Sequence, residues 1–283
     1  MRIQLANVAG QAARLVDGAL YDVSSVLPGP IGLDMMGLIR ALARDPSVRS
    51  ALADLDRAEP IGPVDYTELG PPVPRPSKVF GIGLNYRAHA AEAELEVPAE
   101  PMVFTKFPSC LVGPRADIHL RSNRCDYEGE LVVVVGRGGR DIRAADAWRH
   151  VLGLMVGQDI SDRRVQFRSK PPQFSMGKSF DTFGPTGPVL TLLDGPLDPA
   201  SLRLTTRVNG EVRQEDTVDR MIWGIPELLE SVSKVTTLEP GDLLFTGTPE
   251  GIGSMKRIYL ADGDVIETSI TGLGTLENRC VQR

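Results

Sequence analysis

Glu128 and Glu130 open the run EGELVVVV, and their spacing puts two carboxylates on one face of an extended chain. In a strand they stand about 7 Å apart and repel unless a positive charge lies in front of them. Gly129 removes bulk between them. Leu131 to Val135 are apolar on both faces, the pattern of a central buried strand. An unpaired buried carboxylate is expensive, and a hard divalent cation resolves the conflict by accepting carboxylate oxygens. The alternative is that both acids lie on an exposed strand end and ligate nothing. Asp159, at an element boundary in Gly157-Gln158-Asp159-Ile160-Ser161, is a candidate third ligand. Three carboxylates, completed by water and substrate oxygens, suit octahedral magnesium or manganese.

Other residues add acid–base chemistry. His89 and Glu92 are three apart, so on a helix they share a face and can meet. The competing reading of His89 is an exposed surface histidine. Lys178, in the loop Gly177-Lys178-Ser179-Phe180, is either a solvated charge or, beside three carboxylates, a group that neutralises the site or handles a proton at an enolate. Arg163, Arg164 and Gln166 follow Asp159 closely. Gly247 to Gly253 form a glycine-rich loop whose backbone N–H groups and Thr248 hydroxyl could face an anion. Gly136-Arg137-Gly138-Gly139 evokes a phosphate cradle but lacks nucleotide-motif spacing.

The elements that must position these groups read as a mixed, β-rich chain. Arg2 to Asp22 alternates like short strands around an Asp17-Gly18 turn. Leu33 to Leu55 suggests one or two short helices broken near Pro46, and a proline-rich stretch up to Pro76 marks a seam. Tyr86 to Ala99 is alanine-rich, with little to anchor it, and reads as a mobile helix or lid. Ala144 to Met155 reads as a helix, from Trp148, Val151, Leu152 and Met155. Asn209-Gly210 predicts a hairpin, and Ile225 to Val235 an amphipathic helix with Pro226 in its first turn.

Composition narrows the classes. The 283 residues can bury a large core, and a net charge of -6 without dense Lys/Arg runs disfavours nucleic acid. Cys110, Cys125 and Cys280 form no CxxC motif, which points to a reducing, cytoplasmic compartment. No signal peptide and no bilayer-spanning stretch are expected.

Four motifs, Tyr127-Glu128-Gly129-Glu130 with its valines, Gln158 to Ser161, Gly177 to Pro185 and Gly247 to Gly253, together resemble the fumarylacetoacetate hydrolase family. The likeness covers about residues 78 to 281 in the right order. It implies a β-rich catalytic fold at 73–283, preceded by a small N-terminal α+β domain at 1–72, in a homodimer or larger homo-oligomer. It implies magnesium or manganese on Glu128, Glu130 and Asp159, with Lys178 beside it. Gly83 to Glu92 match the region where hydrolytic members carry a water-activating His-Glu pair in a lid, here residues 86–99. Arg163 and Gln166 match substrate-contacting positions, and Thr248 joins them as a candidate. One departure is Asp162-Arg163-Arg164, where many relatives have Ala-Arg-Asp; the changed charges are expected to alter how the substrate's far end is held.

The activity this resemblance implies is hydrolysis of a carbon–carbon bond in an acylpyruvate or related 2,4-dioxo acid. His89, oriented by Glu92, would take a proton from water, and Lys178 would help hold the pyruvate enolate. The substrate would be a small anionic 2-oxo acid. The alternatives are decarboxylation or isomerisation of a 2-oxo dicarboxylate, of the oxaloacetate or 2-hydroxyhepta-2,4-diene-1,7-dioate type, and, remotely, a non-catalytic metal-stabilised binding protein.

Overall fold

The computed structural model describes residues 3–27, 34–92, 94 and 96–283. Arg2, Leu33, Ala93 and Leu95, which fall within elements expected above, lie outside these residues.

The strand Gly129–Val135 is buried along its whole length. Leu131, Val133 and Val135 join one apolar cluster with Leu204 and Leu228, whereas Val132 and Val134 join another with Met155, Leu190 and Phe245. Each face of the strand therefore belongs to a different core, which is why its sequence does not alternate. It lies between Val151–Gln158 and Leu243–Phe245, both antiparallel to it, inside a mixed sheet of twelve strands. A five-stranded sheet, including Arg203–Val208 and Val265–Ile270, packs against this region. Gly129 is a contact point between them, because a Cβ there would collide with Thr206 and Thr268. The glycine thus serves the face opposite the acids, not the space between them.

Residues Ala144–His150 form a 3-10 helix, but Val151–Gln158 is a strand. The helical spacing of Val151, Leu152 and Met155 misleads because a strand buried on both faces can place apolar residues at any interval. Hydrogen bonding on both edges, to Gly129–Val135 and Gly184–Leu192, decides the outcome.

The N-terminal strands Gln4–Val8, Gln11–Val16 and Ala19–Asp22 form as expected, with positive φ at Asp17 (47°) and Gly18 (82°) making the tight turn. Gln4–Val8 also pairs with Gly184–Leu192, so sheet hydrogen bonds join the segment to the rest of the chain. Helices Met35–Arg44 and Pro46–Ala53 meet at Asp45, whose carboxylate caps the second by accepting from Ser47 N. The Asn209-Gly210 hairpin and the helix Ile225–Val235 match their predictions.

The expected 86–99 helix is shorter: it spans Arg87–Glu92. Its start is anchored by buried Asn85, which donates to Trp223 O and Thr246 O and accepts from Trp223 N. Among the described residues no helix is long and apolar enough to cross a membrane.

Candidate active site

Strand register assembles the acids. Gly129 faces Gln158 and Glu130 faces Gly157, so Asp159 comes beside Glu128, where its N–H donates to Glu128 O at 2.8 Å. One oxygen from each of Glu128, Glu130 and Asp159 lies within 4.8 Å of the others, and all three residues are buried. The reading of an exposed strand end is therefore set aside. Gln158 braces the start of the strand by accepting from Glu128 N and donating to Thr268 Oγ1.

Three buried cations surround this cluster. Lys178 Nζ donates to Glu128 Oε2 (2.6 Å), Asp159 Oδ2 (2.8 Å) and Ser161 Oγ (2.8 Å). Lys106 Nζ donates to Asp159 Oδ1 (2.6 Å), Phe183 O (3.1 Å) and Lys178 O. Arg163 donates to Asp126 Oδ2 (2.8 Å), Gln166 Oε1 (2.8 Å) and Glu128 Oε1 (2.6 Å). Burial alone would raise the Glu128 pKa, but the Lys178 and Arg163 charges outweigh it and hold the carboxyl down at about 2.

Glu130 is different. It accepts from Gly247 N at 2.7 Å and forms no ion pair among the described residues. Burial, then the negative charges of Asp159 and Glu128, push its pKa well above the usual carboxylate range. A buried carboxylate without a direct cation, facing two others, is a donor set that fits a hard divalent ion.

The glycine-rich loop turns out to serve the protein's own acids. Gly247 N–H goes to Glu130, Gly251 N–H to Glu92 (3.0 Å), and Gly253 and Ser254 N–H to Asp126. Thr248 Oγ1 donates to Gly129 O and accepts from Gln214. These N–H groups are engaged, so the loop orders the acids and contributes the Thr248 and Ile252 side chains to the cavity wall.

A cavity of about 760 Å³ opens beside the cluster, with His89, Glu128, Arg163, Gln166, Lys178 and Thr248 in its wall. Glu92, Glu130 and Asp159 are not part of that wall. His89 is only 7% exposed, which removes the reading of a surface histidine. Its Nδ1 is 3.7 Å from Glu92 Oε2, beyond hydrogen-bond distance. Burial opposes ionisation of Glu92, while His89 and the Gly251 N–H favour it and leave its pKa lowered overall.

The charge departure next to Asp159 stays outside the cavity. Asp162 caps the short helix Arg163–Gln166 through Arg164 N and Val165 N and accepts from Ser122 Oγ. Neither Asp162 nor Arg164 lines the cavity.

Sequence reasoning missed Lys106 and Asp126. A lone lysine inside the apolar segment Pro101 to Phe107 was the available signal for the first. Asp126 gives no comparable signal: its partners, Arg163 and the Gly253–Ser254 backbone, are brought to it by folding.

Comparison with known proteins places this arrangement. The family model described as fumarylacetoacetate (FAA) hydrolase C-terminal matches residues 78–281. Oxaloacetate tautomerase FAHD2A, mitochondrial, of Bos taurus is 41% identical over 238 residues, which is 83% of this chain and 75% of that one. Oxaloacetate tautomerase YisK of Bacillus subtilis (strain 168) is 45% identical over 221 residues, covering 75% of this chain and 72% of that one. The crystal structure of maleylpyruvate hydrolase from Sphingobium sp. SYK-6, in complex with manganese (II) ion and pyruvate, superimposes with a TM-score of 0.82 at 28% identity, covering 99% of each chain.

Proposed function

Because this chain belongs to the fumarylacetoacetate hydrolase family, we propose that it is an enzyme that shifts a proton next to the carbonyl of a 2-oxo dicarboxylate, as a tautomerase or isomerase of the oxaloacetate type. The two sequence relatives described above carry the name oxaloacetate tautomerase, which supports this alternative ahead of carbon–carbon hydrolysis. The observation that carries the reading is the state of the His89-Glu92 pair. Glu92 accepts from Gly251 N and stands 3.7 Å from His89, so its direct hydrogen bond goes to the loop backbone while His89 lines the cavity with Nδ1 unpartnered among the described residues.

Glu128, Glu130 and Asp159 would hold magnesium or manganese, which when bound supplies Lewis acidity toward the oxygens of a 2-oxo acid. His89 faces the cavity as the group that takes a proton from the carbon beside the carbonyl and returns it. Lys178 adds fixed positive charge where the enolate oxygen develops, and Ser161, Glu128 and Asp159 hold its ammonium in place. Arg163 orients Glu128 and Gln166. Arg124 also lines the cavity, and its side chain meets no protein acceptor among the described residues, so it suits a second carboxylate.

Hydrolysis of an acylpyruvate is the second reading, favoured by the presence of His89, Glu92 and Lys178 together and by the likeness to a maleylpyruvate hydrolase. One experiment separates them. Magnesium-loaded protein is given enol-oxaloacetate, followed by ultraviolet absorbance, and acetylpyruvate, with released acid measured. Faster ketonisation without cleavage supports the proposal, whereas acetate release without an effect on oxaloacetate overturns it.

A further inference from the structure

The cavity is much larger than a four-carbon diacid, and most of its lining is apolar. Met102, Phe104 and Phe174 line it together with Phe167, Ile252 and Met255. Phe104 and Phe174 pack with ring centroids 5.8 Å apart, and Lys178 Nζ lies 5.3 Å from the centroid of Phe104. The aromatic wall therefore begins next to the ammonium that marks the polar end of the site. Farther out, Phe167 and Met255 are 57% and 40% exposed, so two large apolar side chains border the cavity incompletely covered. A cavity in the size range of drug-like ligands, with a cluster of charges at Glu128, Arg163 and Lys178 and a mostly apolar remainder that also carries Arg124 and Glu96, fits a ligand with a charged head and an apolar body. Aromatic and methionine side chains make a surface suited to a flat ring.

We propose that the site also accepts 2-oxo acids bearing an aryl group beyond C3 and interconverts their keto and enol forms. This inference rests on the proton-transfer reading of the same site. The C3–H bond breaks and its proton goes to His89; that electron pair forms the C2–C3 double bond while the C2–O π pair moves onto oxygen, which takes the proton back from His89. The net change moves one proton from carbon to oxygen, with no redox partner and no further reactant. The polar head would lie beside Lys178, and the ring against Phe104 and Phe174.

The test uses magnesium-loaded protein with phenylpyruvate, pyruvate and oxaloacetate. Calorimetry should give at least ~10-fold tighter binding of phenylpyruvate than of pyruvate, the expected effect of burying a ring. Decay of the phenylpyruvate enol absorbance should accelerate with enzyme. In a double variant, Phe167→Ser with Met255→Ser, the ratio of kcat/KM for phenylpyruvate to that for oxaloacetate should fall ~10-fold. Both side chains are substantially exposed, and a thermal melt checks that the variant is folded. Equal binding of phenylpyruvate and pyruvate, with oxaloacetate still turned over, overturns this inference alone. No turnover of either substrate overturns the underlying proton-transfer reading, and the catalytic half of this inference with it.

Discussion

Lys106 holds Oδ1 of Asp159 at 2.6 Å in an ion pair whose two side chains are wholly buried, while Lys178 holds Oδ2 of the same carboxylate at 2.8 Å. Asp159 is thus fixed from both oxygens. Burial opposes the Lys106 charge, yet Asp159, with help from neighbouring groups including Glu130, outweighs this and leaves its pKa raised. Removing one partner of a buried pair costs about 3–5 kcal/mol where the other charge is left uncompensated, an upper figure here because Lys178 still holds Asp159 Oδ2. Lys106→Met should lower the stability of metal-free protein by that order in urea titration. Excess magnesium should raise its melting temperature more than it raises that of the unaltered chain, because the ion replaces missing positive charge. Equal stability of the two metal-free proteins would contradict the structural role given to Lys106.

Glu130 makes a second prediction. Burial and two neighbouring acids raise its pKa and so disfavour the ionised form that a ligand carboxylate must take. Magnesium affinity should weaken as pH falls, and binding should release a proton, visible in calorimetry as heat that depends on the buffer's ionisation enthalpy. Glu130→Gln, which resembles the neutral acid in shape, should keep the metal-free fold and lose at least ~10-fold in metal affinity. Retained affinity would remove Glu130 from the ligand set.

Glu128 has the opposite sign. Its folded pKa of about 2 lies below the ordinary value of 4.5, so its ionised form adds stability that is complete above 4.5 and fades as pH falls toward about 2. Glu128→Gln should therefore flatten the acid limb of stability against pH in that window. An unchanged acid limb would show that the Lys178 and Arg163 pairs do not stabilise the fold through this group.

His89 tests the chemistry. Loss of a general base should reduce kcat by ~100-fold or more in His89→Ala, with calorimetric binding of oxalate retained. Glu92→Gln should have a smaller effect if His89 works in proton transfer, since the two side chains are not hydrogen-bonded. A loss in Glu92→Gln equal to that in His89→Ala would favour the water-activating pair and the hydrolytic reading.

Much of this site was legible in the chain. The period-two placement of Glu128 and Glu130 before an unbroken apolar run located a buried strand with acids on one face, and the order of four motifs identified the family. The hairpin at Asn209-Gly210 and the helix after Gly224 were readable because local turn and capping chemistry decides them. Val151 to Met155, expected as helix, is part of the strand Val151–Gln158: it is buried on both faces, so its pattern carries no strand period, and its pairing partners are set by the fold.

Tertiary structure alone decided what the charges do. That Asp159 stands beside Glu128 follows from strand register. That Lys106, 53 residues from Asp159, holds the second oxygen follows from the packing of distant segments. The glycine loop's donors turned to Glu130, Glu92 and Asp126 for the same reason. Residue type states what a group can bond to, but folding chooses its partner, because the strong energies of charges out of water depend on a separation of a few ångströms that local sequence does not encode.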